Sequence, residues 1–484
     1  MKWKTLLHEN RELKEQLAAA FVLIAELKAE NALLKARLEK LEEKLRTSSL
    51  NSSKPPSSDP PSVEKPDRPD GKQGKRKRGA QEGHEAANRT LVPADQVDAV
   101  VDCRPEGGCD CGGQVLADDV LPERRQVLDI PKVKPHATDY LIYSGVCSQC
   151  GKRHRGRLPV GVPQGMVGTR AMALVGVLSG KYHLSKRSIT EMLLDLFGLD
   201  LCLGTVSNTE ARVSDALAAP VEEAKEFVQR QSVIHGDETG HKVAGKRAWM
   251  WVACTAWVTV FMIRFSRGTE AAKELLGEAF RGFLVSDRWS GYNWIDAARR
   301  QLCWAHLIRD LTKIAERNGP SREIGDGILV YVHRMFHLWH RVRVGTLSRP
   351  EFRLAMVPIR EEVENLLRSG AACEHPQTGK TCKNLLKLRV ALWTFVDVEG
   401  IEPTNNEAER ALRSYVLWRK GSFGTQAERG SLFVERMMTV SATCRQQERN
   451  ILDYVSAVVE ANLLGATAPS LLPQQAGCNL DLAA

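Results

Sequence analysis

Leu13, Ala20, Leu27, Leu34 and Leu41 recur every seven residues, and Leu17, Ile24, Asn31, Leu38 and Leu45 recur with the same period, offset by three or four. These are the d and a positions of a coiled coil. The pattern predicts a leucine zipper over residues 1–47, with a long helix packed on its own chain as the alternative. Asn31 at an a position costs stability but fixes register and favours a parallel dimer. The periodicity then stops. SSLNSSKPPSSDPPS, from Ser48 to Ser62, buries too little to fold, so residues 48–90 read as a Ser/Pro and basic linker.

Farther on, the pattern changes twice more. Residues 166–230 carry helical spacing: SKRSITEMLLDLFG, a turn at Gly198, then LGTVSNTEARVSDAL. This outlines a helix–turn–helix whose second helix begins at Thr205 and shows Ser207, Asn208 and Arg212 to solvent. Those side chains suit base edges and phosphates, although two packed helices with a short turn are also common without DNA. From Ser232 the text becomes strand-like. SVIHGDETG reads as a short strand ending on Asp237, RAWMWVACTA and VTVFMIRFS as two strands joined near Thr255, EAAKELLGEAF as a helix, and GFLVSDRWSGYN as a strand ending on Asp287. Residues 446–484 read as a terminal helix and tail.

Composition adds limits. With 484 residues, several domains are expected, and 43% hydrophobic and 26% charged residues are those of a globular protein. The net charge of +9 is modest, but GKQGKRKRG concentrates Lys75, Arg76, Lys77 and Arg78 without an acid. That run is either a solvated tether or a nucleic-acid contact. The longest apolar run, Ala248 to Ile263, is shorter than the ~20 residues a spanning helix needs. No membrane association and no signal peptide are expected. Of the 12 cysteines, five fall between Cys103 and Cys150, which suggests a metal site in a reducing, cytoplasmic setting. CSQCGK supplies Cys147 and Cys150. Cys103 with Cys111 makes the other pair, Cys109 being the substitute. With YLIYSGV and RRQVLDIP as short strands, residues 91–165 read as a ribbon-like module for one structural Zn²⁺.

The acids carry the candidate chemistry. Three strands, a helix and a fourth strand, with Asp237 and Asp287 at the ends of strands one and four, suggest a ribonuclease-H-like sheet over residues 231–445. Its first and fourth strands are neighbours, so the two carboxylates converge, and a third acid from a later helix completes a site for two divalent cations. Oxygen ligands suit Mg²⁺ or Mn²⁺, and such a pair serves in-line displacement at a phosphodiester. TNNEAERALR offers two glutamates. Thr404 and Glu407 have capping-box spacing, which occupies Glu407 and leaves Glu409 without a local role. Trp418, Arg419 and Lys420 suit phosphate contact and stacking, with Trp418 equally at home in a core. His306 reads either as a neighbour of the site or as a structural histidine.

HGDETG, LVSDRWSGYN, CWAHLIRDL and EPTNNEAERALR closely resemble transposases of the insertion-sequence 66 type, as does the order of zipper, linker, cysteine-rich module and catalytic domain. The resemblance implies a multidomain α+β chain and a DDE transposase, with Asp237, Asp287 and Glu409 as its three acids. It also implies a helical insertion, about 311–384. The implied reaction is hydrolysis of one strand at each element end, then attack of the exposed 3′ hydroxyl on target DNA. DNA and a homodimer or higher oligomer are the implied partners, with accessory proteins of the same element as further candidates. Ser414 stands where the family often has Pro, and the first cysteine pair is irregular. The rival readings are a DNA-binding regulator and a nuclease without transposition.

Overall fold

A computed structural model describes residues 123–473 without a break, together with 90–104, 110–113, 115 and isolated positions between 24 and 38. The chain divides into two units, residues 64–136, and residues 1–63 with 137–484. In the first, the described residues contain a single 3₁₀ turn, Ala94–Gln96, and Val92 is bonded through both N and O to the Gln126 amide at 2.7 and 2.9 Å. RRQVLDIP is not a strand here, contrary to expectation. No backbone ladder partner faces it among the described residues, and Pro131 and Pro135 withhold donors nearby.

In the larger unit, the described zipper positions 24, 27, 31, 34 and 38 are helical and exposed. The other zipper positions, Lys75 to Arg78 and Cys109 lie outside the described residues. YLIYSGV shrinks to β1 (Ser144–Val146), paired antiparallel with β2 (Arg153–Arg155).

Four helices follow: α1 (Thr169–Gly180), α2 (Lys186–Phe197), α3 (Leu203–Ala216) and α4 (Ala218–Gln229). Ser185 caps α2 by accepting the Ser188 N–H, and Gly198, at φ +67°, ends it in the left-handed region that favours glycine. The next helix starts at Leu203, not Thr205, because the Cys202 carbonyl already accepts the Val206 N–H. Helices α1 and α3 approach closely: a Cβ on Gly176 would sit 2.9 Å from Val213.

The sheet that follows is built from β3 (Val233–Val243), β4 (Lys246–Cys254), β5 (Thr259–Arg264), β6 (Phe283–Ser286) and β7 (Arg300–Leu302), in the order β5-β4-β3-β6-β7. The first three are antiparallel; β6 and β7 run parallel to β3. Helix α5 (Thr269–Leu276) joins β5 to β6. Asp237 is not at the end of β3, as expected, but in its middle. The strand continues to Val243 because Ala244 and Gly245 (φ +48° and +76°) form a two-residue hairpin turn into β4, which pairs along its whole length.

Between β7 and the last part of the sheet domain stand α6 (Trp304–Ala315), α7 (Pro320–Arg343), α8 (Arg349–Ala371), α9 (Pro376–Lys387) and the short α10 (Thr394–Asp397). They enclose a core of their own around Trp304, Met335, Phe352 and Phe395. The chain returns as α11 (Asn406–Ser422) on β3, α12 (Glu428–Gln446) along β5, and α13 (Ile451–Leu464) against α1. α12 meets the outer edge of β5 with side chains: Glu435, Thr439 and Thr443 accept the N–H groups of Ile263, Phe261 and Thr259 at 2.7, 3.0 and 3.1 Å. Among the described residues, no helix is long and apolar enough to cross a membrane.

Candidate functional site

The site is assembled by the register of β3 against its neighbours. His235 pairs with Val285 across the parallel β3–β6 ladder. The ladder ends there; two residues farther along each segment come Asp237 and Asp287, near enough that the Asp287 charge acts on the Asp237 carboxyl. Asp287 lies just past β6, where its carboxylate accepts the Trp289 N–H at 2.9 Å and its carbonyl accepts from the buried Arg300 guanidinium at 3.2 Å.

Helix α11 is fastened to β3 at both ends. Asn405, fully buried at its N-terminus, donates Nδ2–H to the Gly236 carbonyl at 2.8 Å and accepts at Oδ1 from His235 Nδ1 at 3.2 Å. Its own N–H points at the Cys303 sulfur, 3.1 Å away. Toward the other end, Tyr415 meets His241 Nδ1 at 2.6 Å, Trp418 stacks on the same ring, and Arg419 donates to Thr239 Oγ1 at 3.2 Å and to the Gly240 carbonyl. Burial holds His241 down to about 4, so it is neutral there. Glu409 lies one helical turn beyond Asn405, its N–H on the Asn405 carbonyl at 3.2 Å.

The two glutamates of this helix differ as their surroundings dictate, but not for the reason expected. The capping box is absent: the helix begins at Asn406, and its N-cap, Asn405, spends its side chain on β3. Glu407 is exposed and pairs with Arg410. Glu409 turns inward, where its Oε1 is buried and accepts no hydrogen bond. Nδ1 of His306, near the start of α6, lies 3.5 Å away and is likewise buried without a hydrogen-bond partner.

Electrostatics tie the acids together. Burial first, then the charges of Glu238, Asp287 and Glu409, raise the Asp237 carboxyl well above its ordinary value, with only the Glu238 N–H opposing. Crowded carboxylates with a bare buried oxygen have the chemistry of a cation site: the repulsion and the orphan acceptor are both relieved by a divalent ion bound through oxygen. Among the described residues, the donor atoms that lie within 4.8 Å of one another are those of Cys303, His306 and Glu409, without the two aspartates.

Several participants were not singled out from the sequence. Glu238, adjacent to Asp237, points to the other face of β3, is buried, and is held by Arg267 at 2.6 Å and the Tyr292 hydroxyl at 2.8 Å. Asn405 and Cys303 form the seam between β3, α6 and α11, and burial pushes the Cys303 thiol up to about 11. An asparagine doublet before a helix signals a cap locally; its role toward β3 depends on contacts across 169 positions.

The remaining expected residues are dispersed. On α3, Asn208 and Arg212 are exposed, while Ser207 is half-buried and accepts from Lys186 at 2.6 Å. Arg419 is turned toward β3 and Lys420 is exposed. Cys147 and Cys150 flank a tight turn between β1 and β2: Gly151, at φ +70°, donates to the Cys147 carbonyl at 3.0 Å. The backbone N–H of Cys150, then that of Gln149, draws the Cys147 thiol below its ordinary value. Cys103 and Cys111 are exposed and belong to the other unit.

A family described as Transposase IS66 family matches residues 164–432, and a family of unknown function (DUF6444) matches residues 5–90. Two uncharacterized proteins of Sinorhizobium fredii (strain NBRC 101917 / NGR234) are similar. The one called y4qI is 24% identical over 240 residues, 43% of this chain and 43% of its own. The one called y4hP is 25% identical over 386 residues, 69% of this chain and 66% of its own. Both matches span less than two thirds of the relative's length.

Proposed function

Because the chain belongs to the Transposase IS66 family, we propose that it binds the ends of a mobile element and carries out DNA strand cleavage and 3′-hydroxyl strand transfer on a ribonuclease-H-like sheet. Asp237, Asp287 and Glu409 are the proposed catalytic acids. The observation that carries the assignment is the buried, unbonded oxygen of Glu409, joined to the burial and neighbouring acids, Asp287 and Glu409 among them, that raise the Asp237 carboxyl. The strand order β5-β4-β3-β6-β7, with one acid on the central strand and one beside it, supports the same reading.

When bound, two Mg²⁺ or Mn²⁺ ions would activate the attacking oxygen and stabilise the leaving one. The three carboxylates would hold them. Asn405 and Arg419 keep Glu409 at a fixed height over β3, and Arg300 and the Trp289 N–H orient Asp287. Rigid placement on strand and helix is what such chemistry asks of the protein, since misplaced ligands lose rate steeply.

The remaining parts are assigned as follows. Asn208 and Arg212 on α3, Lys420, Arg419 and the basic run Lys75–Arg78 contact DNA. Cys147, in a turn whose amides draw its thiol below the ordinary value, and Cys150 supply ligands to one structural Zn²⁺. The exposed apolar positions Ile24, Leu27, Leu34 and Leu38 form a homodimer seam.

The decisive test is a cleavage assay on element ends in Mg²⁺ and Mn²⁺. Glu409→Gln keeps fold and DNA binding and loses cleavage and strand transfer; Glu407→Gln, which breaks only a surface pair, keeps most activity. A dead Glu407→Gln beside an active Glu409→Gln would refute the assignment.

A further inference from the structure

His306 carries a buried ring nitrogen, Nδ1, that makes no hydrogen bond and faces Glu409. The first turn of α6 puts it there for identifiable reasons. The Cys303 N–H is held by the Ser286 carbonyl at 2.8 Å, immediately before Asp287, and the Trp304 N–H by the Pro403 carbonyl at 2.9 Å, immediately before the approach to α11. α6 therefore starts between the segments that carry two of the acids. His306 follows within its first turn, with its side chain mostly covered. Its Nδ1 and Glu409 Oε1 are 3.5 Å apart. Neither is bonded to anything else.

Two donors held at that separation can share one ion. Metal–ligand bonds of about 2.0–2.2 Å allow two donors on one cation to lie as much as about 4 Å apart. Cys303 offers the third donor atom of this group, all within 4.8 Å of one another. Its sulfur, however, already accepts the Asn405 N–H in the buried seam. That leaves nitrogen and oxygen.

We propose that His306 supplies a nitrogen ligand, through Nδ1, to the divalent cation held by Glu409, giving that position a mixed nitrogen–oxygen donor set. This rests on the metal-dependent reading above and goes beyond it, because three carboxylates alone would make an all-oxygen site. An imidazole donor shifts preference away from Mg²⁺ toward first-row transition ions. The chain thus discriminates between divalent ions at one of its two positions.

The test uses the full-length chain and Mn²⁺ as a paramagnetic probe. Electron spin-echo modulation of bound Mn²⁺ is expected to show a directly coordinated nitrogen in the unmutated protein and to lose it in His306→Gln and His306→Asn. By calorimetry, His306→Gln should weaken Mn²⁺ binding about tenfold, the scale on which tampering with a metal shell acts, and Mg²⁺ binding much less. Thermal melting without metal checks that the variants fold. The wild-type spectrum, which needs no variant, already refutes the proposal if Mn²⁺ binds with no nitrogen coupling. So does a nitrogen signal that survives in both variants, which would assign it to another histidine such as His235. Those results leave the three-acid reading standing, provided that Asp237→Asn abolishes Mn²⁺ binding. Wild-type protein that binds neither ion would sink both.

Discussion

Asn405→Ala removes the side chain that fixes α11 on β3. In the native protein that side chain is fully buried and makes two hydrogen bonds, to the Gly236 carbonyl and the His235 ring. Truncation deletes both and strands two buried polar groups, at about 1–3 kcal/mol for each group left unsatisfied. Part of the cost is recovered, because a carbonyl in a ladder has a second lone pair and a small cavity admits water. A net loss of about 2–4 kcal/mol follows, concentrated where α11 enters. Hydrogen–deuterium exchange reads this locally. At 1.4 kcal/mol per decade, the amides of the first two turns of α11 should exchange about 30- to 700-fold faster. The neighbouring Asn406→Ala, at an exposed position, should change them little. Cleavage should fall with Asn405→Ala because Glu409 is one turn away. If both variants exchange alike, Asn405 is a cap and not a fastener, and the account of how Glu409 is placed fails.

Asp237→Asn should make the metal-free protein more stable at neutral pH. The folded state raises the carboxyl above its ordinary 3.8, so it binds more protons than the unfolded chain, and stability falls as pH rises above 3.8 through the raised value. Thermal melts across pH 4–8, a range of about four units, should show a flatter profile for the variant, and Mg²⁺ should raise the melting temperature of the wild type alone. A steeper profile for the variant would contradict this. Thr439→Val leaves the Phe261 N–H without its acceptor and should cost about 1–3 kcal/mol in denaturant unfolding; a neutral outcome would mean that water replaces the hydroxyl. Cys147→Ser should release zinc, measured as metal content of protein purified without chelator, and protein that never carries zinc refutes that site.

Much of the arrangement was legible because it rests on local periods. Strand-like text around Asp237 and Asp287 and the helical spacing of Ala408, Ala411, Leu412 and Tyr415 each follow from burial on one face, and those four side chains are buried. The choice of Glu409 over Glu407 rested on a capping box that does not form; Glu407 is exposed and Glu409 turns inward for other reasons. Asn405 prefers a long-range pair of bonds to a local cap, and no window of sequence displays that competition. The length of β3 was misjudged for a related reason. HKVAGKRA has weak strand character, and what extends the strand is an Ala-Gly hairpin turn whose worth depends on β4 lying beside it. RRQVLDIP had strand composition without a partner strand, and composition cannot supply one.

The ladder from α12 to β5 has a consequence for how the chain is made. Four residues of helix advance about 6.0 Å and two residues of strand about 6.8 Å, so a helix can imitate a partner strand only over a few rungs before the two rulers drift apart. The side chains compensate: short threonines serve the two rungs at 439 and 443, while the longer Glu435 and Gln446 reach outward at the ends, to Ile263 and to the Thr255 carbonyl. This imitation strand arrives late. Its residues lie 172 to 184 positions after the N–H groups they cover, roughly 10 to 40 s later at ordinary rates of synthesis. During that interval the nascent sheet presents an open edge to any other extended chain nearby. Neighbouring ribosomes on one message would each display the same edge, so overproduction should favour insoluble chains, and truncation before Glu435 should do so most of all.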